Sequence, residues 1–163
     1  MKKKYYIFTD GSHLKGRGGS GRLGCGGVLV DPEGGGLFGK ELSRFSIEIT
    51  PEYMELTYGS SDISNPTAEM FGVLSALKEF KKYLRPGIEI TVFADYQGVR
   101  EWLTGKWKIN KKYIEGIRDD IMEEIKRGDL VVTFEWIPGH QGGRDNFWKH
   151  WNDVVDLLAK GKA

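Results

Sequence analysis

Tyr5-Tyr6-Ile7-Phe8-Thr9 is an unbroken run of β-forming residues that ends on a carboxylate, Asp10, followed by Gly11 and Ser12. Aromatic and β-branched residues in such a run read as a buried strand that delivers one acid into a glycine-containing turn. An ionised Asp at the inner end of an apolar strand loses hydration and persists only if something compensates it. A divalent cation is a compensator that several carboxylates can share. The rest of the chain is therefore expected to bring further acids to that point.

After this strand, His13 to Gly24 reads as a polar, glycine-rich connection, and Cys25 to Val30 as a second strand closed by the turn Asp31-Pro32-Glu33-Gly34. Leu37 to Ile49 continues as a third extended segment, with Phe45, Ile47 and Ile49 alternating against polar neighbours. Short links between the three predict an antiparallel meander. Residues 51–64 are the least readable, and Tyr53 to Tyr58 fits either a strand or one turn of helix.

Asn65 then reads as a helix N-cap with Pro66 at the first helical position, and Met70, Val73, Leu74, Leu77 and Leu84 mark an apolar face at helical spacing. Pro86-Gly87 ends that helix, and Ile88 to Ala94 is a strand closing on Asp95. Strand, helix and strand in this order imply a right-handed crossover and a partly parallel sheet. A short helix over Gln97 to Leu103, a longer one over Tyr113 to Lys126, a fifth strand over Leu130 to Trp136, a loop over Pro138 to His150 and a last helix over Asn152 to Lys160 complete the reading. A chain of 163 residues fits one compact unit. The expectation is a single α/β domain over residues 1–163, with a five-stranded mixed sheet, three antiparallel strands then two parallel ones, flanked by helices.

Three acids now stand at comparable places: Asp10 and Asp95 at strand ends, and Glu69 in the first turn of the first long helix. In an open α/β sheet, ligand chemistry gathers beyond the carboxyl ends of parallel strands and at the adjacent helix starts. Taken singly, each acid is an ordinary turn former or helix-start residue. Their joint occurrence after apolar lead-ins is what makes a shared site the better reading. The lone Cys25 excludes a cysteine-rich zinc site, and 24 basic against 23 acidic residues leave a net charge of +1. A nucleic-acid surface would have to be local.

Asp10-Gly11-Ser12 after a strand, Asn65-Pro66-Thr67-Ala68-Glu69 opening a helix, Ala94-Asp95-Tyr96-Gln97-Gly98-Val99 after another strand, Gly139-His140 after the fifth, and Asn152 with Asp156-Leu157-Leu158-Ala159 together resemble type 1 ribonuclease H. The run from Asp95 through Trp102 to Thr104-Gly105-Lys106-Trp107-Lys108 looks most like a short-handled branch of that family, with no room for a separate hybrid-binding domain. The resemblance implies a ribonuclease H-like fold and an endonuclease that cuts the RNA strand of RNA/DNA hybrids, leaving 5′-phosphate and 3′-hydroxyl ends. It implies that Asp10, Glu69, Asp95 and Asp156 hold two Mg²⁺ ions, with Asp10 bridging them. Oxygen ligands without imidazole or thiolate suit Mg²⁺ or Mn²⁺ over zinc. His140 matches the family histidine that assists proton handling or product release.

The chain departs from the family at Arg144 through Trp151, which reads as an insertion carrying Phe147, Trp148 and Trp151. Asp153 and Asp156 lie three apart on one helix, so either could reach the metals; the family spacing of Asn152 and Leu157-Leu158-Ala159 selects Asp156. Pro66 stands where the family commonly has a second asparagine.

For substrate, the resemblance assigns Gly11, Ser12, Asn65, Gln97 and Asn152 to positions near the metals, where small and amide side chains can meet the 2′-hydroxyls of a shallow minor groove. Lys106, Lys108, Lys111 and Lys112, interleaved with Trp102 and Trp107, form a basic and aromatic surface suited to the DNA strand's phosphates, or else an ordinary solvated surface. Competing readings are a catalytically weak or inactive nucleic-acid-binding module of the same fold, and a DNA nuclease or resolvase of the superfamily. No apolar run approaches a membrane span, so a cytoplasmic monomer without membrane contact is the default expectation.

Overall fold

The computed structural model describes residues 3–15, 21–137 and 147–162. In chain order the elements are β1 (Lys4–Lys15), β2 (Gly21–Gly36), β3 (Gly39–Ile49), α1 (Pro51–Tyr58), α2 (Asn65–Glu79), β4 (Glu89–Ala94), α3 (Gln97–Leu103), α4 (Lys112–Arg127), β5 (Val131–Trp136) and α5 (Phe147–Ala159). The sheet order is β3-β2-β1-β4-β5, with β1, β2 and β3 antiparallel and β1, β4 and β5 parallel. This is the expected ribonuclease H-like arrangement of three antiparallel strands followed by two parallel ones.

Packing is layered. Ile7, Leu23, Cys25, Leu29 and Val92 face one way and bury α2 with the inner faces of α1, α3 and α4. Phe8, Val28, Val30 and Phe93 face the other way against Trp151, Val155 and Leu158 of α5. Helix α2 is the pivot: residues Thr67 through Leu77 are all buried, so it is enclosed where the sequence suggested one apolar face. The sheet covers one side and α4 another.

Three local expectations are corrected and one left open, the third below, is resolved. First, β1 does not stop at Asp10. It runs on to Lys15, with Gly11 paired to Cys25 and Ser12 to Gly24, because β2 begins at Gly21 and offers ladder partners beyond the acid. Its parallel partner β4 pairs only as far as Phe8 with Phe93, so Asp10 emerges where one neighbour ends and the other continues.

Second, Ser64 caps α2, not Asn65, and Pro66 falls within the first turn. Glu69 therefore lies one residue further in than expected, just past the first turn. Ser64 makes no capping bond because its hydroxyl is engaged by Asp62 and Thr67. Third, residues 51–58 form a helix. Thr50 Oγ1 accepts from Tyr53 N at 3.2 Å, Pro51 opens it and Gly59 closes it at φ 76°.

Fourth, α5 begins at Phe147, so Phe147, Trp148 and Trp151 belong to a helix. Trp151 is buried against Phe8, and its indole N–H donates to Phe38 O at 2.9 Å. Gly24 and Gly26 of β2 bring the other end of α5 in. A Cβ at Gly24 would lie 2.0 Å from Ala159 O, and one at Gly26 would lie 2.5 Å from Leu158 Cβ.

Candidate active site

Asp10, Glu69 and Asp95 come from β1, α2 and the end of β4, and one carboxylate oxygen of each lies within 4.8 Å of the others. Their closeness depends on Gly11. A Cβ there would sit 2.2 Å from the carbonyl carbon of Ala68, so only glycine lets α2 approach β1 closely enough to bring Glu69 beside Asp10. The Gly11 N–H is shared between the two acids, 2.9 Å from Asp10 Oδ1 and 3.0 Å from Glu69 Oε1.

Electrostatics are severe. Asp10 is 4% and Glu69 5% exposed. Burial first, then the charges of Asp95 and Asp156, push the Asp10 carboxyl up to about 7 against the hydrogen bonds from Glu69 and Gly11. Burial and then Asp10 and Asp95 raise Glu69 well above its ordinary range. Burial and Asp156 raise Asp95, while hydrogen bonds from Asp10 and the Asn152 side chain work the other way. Glu69 Oε2 is buried with no hydrogen-bond partner. A buried carboxylate oxygen without a donor costs stability unless a ligand satisfies it. Three oxygen donors, no imidazole or thiolate among them, and one orphaned oxygen fit a hard divalent cation.

Asp156 lies outside this trio but lines the same open cleft of about 410 Å³, with Gly11, Ser12, Asn65, Pro66, Tyr96 and Lys160. Its carboxylate is held 2.9 Å from Lys160 Nζ. Asp153, the other candidate for the fourth acid, is paired to Lys149 at 2.8 Å and does not line the cleft. Asn65 Oδ1 accepts from His13 N at 2.9 Å, tying the start of α2 to β1.

The remaining candidates disperse. Gln97 opens α3 half-buried and is not among the cleft residues. Trp102 and Lys108 line a second depression with Lys111 and Tyr113, whereas Lys106 and Trp107 are exposed on the turn after α3. In that depression Asp62 accepts from Tyr113 Oη and from Ser64 N at 3.0 Å, and Lys111 Nζ lies 3.8 Å away. These donors overcome the cost of burial and hold the Asp62 carboxyl below its ordinary value. His140 lies outside the described residues.

Two side chains of the cleft went unread in the sequence. Lys160 stands four residues after Asp156, an i,i+4 spacing that signals an ion pair but not its position. Tyr96 sits directly after Asp95, and nothing local marks it.

The ribonuclease H family model matches residues 2–163. No curated protein matches the chain. Among solved structures, ribonuclease H1 from the halophilic archaeon Halobacterium salinarum NRC-1 superposes with a TM-score of 0.69 at 21% identity, over 98% of this chain and 96% of that one. The N-terminal ribonuclease H domain of rv2228c from Mycobacterium tuberculosis gives 0.64 at 22% identity, over 99% and 100%. LC11 ribonuclease H1, solved in complex with an RNA/DNA hybrid, gives 0.68 at 20% identity, over 96% and 94%. At these identities the superpositions speak for the fold.

Proposed function

The chain belongs to the ribonuclease H family, and from that premise we propose that it is an endonuclease hydrolysing the RNA strand of RNA/DNA hybrids with two divalent ions, leaving 5′-phosphate and 3′-hydroxyl ends. The observation that carries this reading is the convergence of Asp10, Glu69 and Asp95 on one point, with a buried Glu69 oxygen left for a ligand. Asp10, Glu69, Asp95 and Asp156 would hold Mg²⁺ or Mn²⁺. When bound, the ions supply Lewis acidity that activates a water and stabilises charge on the leaving oxygen.

The chain's own groups do the positioning. The Gly11 N–H holds Glu69 Oε1, and Oε2 is left buried without a donor. The Asn152 side chain favours the ionised form of Asp95. Because Asn65 Oδ1 is already occupied by His13 N–H, the amide N–H₂ is the end of Asn65 left to donate to a sugar or base edge. His140 would move a proton or assist product release. A hybrid differs from duplex DNA by 2′-hydroxyls in a shallow groove, and Ser12 and Asn65 on the cleft wall suit that surface.

The test compares labelled RNA/DNA hybrid, double-stranded RNA and duplex DNA, with Mg²⁺ and with EDTA, for the wild type and Asp10→Asn. Metal-dependent cutting confined to the hybrid and lost in the variant is expected. Hybrid left intact by the wild type in both Mg²⁺ and Mn²⁺ would sink the proposal.

A further inference from the structure

The acid cleft and the second depression meet at a single ridge. The second depression, about 310 Å³, carries Trp102, Lys108, Lys111 and Tyr113, and the two share only Pro66 and Tyr96. One side is acidic and suited to cations. The other is aromatic and, with Lys108 and Lys111 set against the single carboxylate of Asp62, net basic, suited to a sugar-phosphate backbone. A duplex laid across both would straddle Tyr96.

Tyr96 is seated for contact. Its ring packs against Gly98, where an added Cβ would fall 2.3 Å from the ring edge and 2.7 Å from Oη. Trp102 meets it edge-on, with centroids 5.7 Å apart and an interplanar angle of 64°. The ring is half-buried, and its hydroxyl has no hydrogen-bond partner among the described residues. A pre-seated ring with a free hydroxyl loses little entropy on meeting a ligand. Nothing in the carboxylate cluster requires it, since Tyr96 donates to none of the acids.

Building on the proposed hybrid nuclease activity, we propose that Tyr96 is a substrate-contacting specificity residue. From the ridge it enters the minor groove between the strand cut in the acid cleft and the strand held over Lys108 and Lys111. The ring lies against a sugar, and the hydroxyl bonds a sugar or base-edge acceptor. Groove width then decides the fit. A wide, shallow groove admits a ring standing on a ridge, whereas the roughly 6 Å minor groove of duplex DNA resists it. Tyr96 thus contributes to the choice of hybrid over DNA as well as to affinity.

The test measures binding of labelled hybrid and labelled duplex DNA by fluorescence anisotropy in the Asp10→Asn background, adding Tyr96→Phe, Tyr96→Ala and Gly98→Ala. Loss of the hydroxyl alone is expected to weaken hybrid binding about 3- to 10-fold. Loss or displacement of the ring is expected to weaken it by about 10-fold or more while leaving DNA binding within about two-fold, so that discrimination falls. In the otherwise wild-type enzyme, Tyr96→Phe is expected to raise KM with kcat nearly unchanged, and the Mg²⁺ midpoint in a metal-binding titration should not move.

Hybrid affinity unchanged in Tyr96→Ala, at an unchanged melting temperature, would overturn the inference. A shifted Mg²⁺ midpoint would do so too, by placing Tyr96 in the service of the acids. Should Tyr96→Ala fail to fold, Tyr96→Phe and Gly98→Ala decide between the same outcomes. A wild type that binds hybrid without cutting it removes the proposed activity and leaves the binding comparison standing. A wild type that cuts hybrid, with all Tyr96 affinities unchanged, removes the inference alone.

Discussion

Replacing Asp10 by Asn should make the metal-free protein more stable while destroying the site. Burial and neighbouring charge raise the Asp10 carboxyl from 3.8 to about 7. The folded chain therefore holds a proton there that the unfolded chain releases. The stability this confers is complete below about pH 4 and is lost as pH rises through about 7, so at pH 8 the ionised group is a liability. Three pH units at about 1.4 kcal/mol each set a ceiling near 4 kcal/mol, reduced in practice because Glu69 and Asp95 share the same protons.

Asn keeps an oxygen to accept from the Gly11 N–H, which lies 2.9 Å from Asp10 Oδ1, and adds an N–H₂ facing the other acids. Half the ceiling would raise Tm by about 4–8 °C for a chain of this size. The assay is thermal unfolding followed by circular dichroism in EDTA at pH 5, 6, 7 and 8. Above pH 5, Asp31 and Asp62, whose carboxyls are held below the ordinary range, stay ionised throughout and do not confuse the trend. The variant should melt higher at pH 8, keep only a minor part of that gain at pH 5, and lose the stabilisation expected from Mg²⁺ in the wild type. Equal melting temperatures at pH 8 in EDTA, or a gain as large at pH 5 as at pH 8, would refute the account of the acid cluster.

Asp156→Asn should abolish hybrid cleavage and Asp153→Asn should leave it within about two-fold, because only Asp156 lines the cleft; comparing initial rates decides it, and the reverse pattern would reassign the fourth acid. Gly11→Ala should destabilise by about 3 kcal/mol or more in a urea titration, since its Cβ would collide with α2 backbone 2.2 Å away; a loss below about 1 kcal/mol would mean the helix can retreat freely. Cys25 is fully buried, donates to Ala68 O at 3.4 Å and has its thiol pushed up by burial and the nearby acids. A thiol reagent should therefore label it only at the unfolding rate, and rapid labelling of native protein would contradict the packing beneath the acids.

Much of this molecule is legible in local pattern because local pattern has local causes. The β-forming run before Asp10, the Pro66 helix start, the isoleucine spacing of α4 and the strand-helix-strand order each follow from backbone and burial preferences acting over a few residues. Together they determine the mixed sheet and the chain order of the acids. Helix α1 was equally legible in Thr50, Pro51 and Gly59, but its mixed polarity hid it. Closure across the sheet is different in kind. Whether Asp153 or Asp156 faces the cleft depends on the roll of α5, set by Trp151 under Phe38 and by two glycines of β2 that admit Leu158 and Ala159.

The same holds for Lys160 on Asp156 and for Tyr96 on its ridge, which are ordinary surface residues until distant elements surround them. An acid's type and position along the chain are properties of the sequence. Its protonation, its orphaned oxygen and its neighbours arise only when water is excluded by packing between residues more than fifty apart, as when Glu69 is pressed against Gly11.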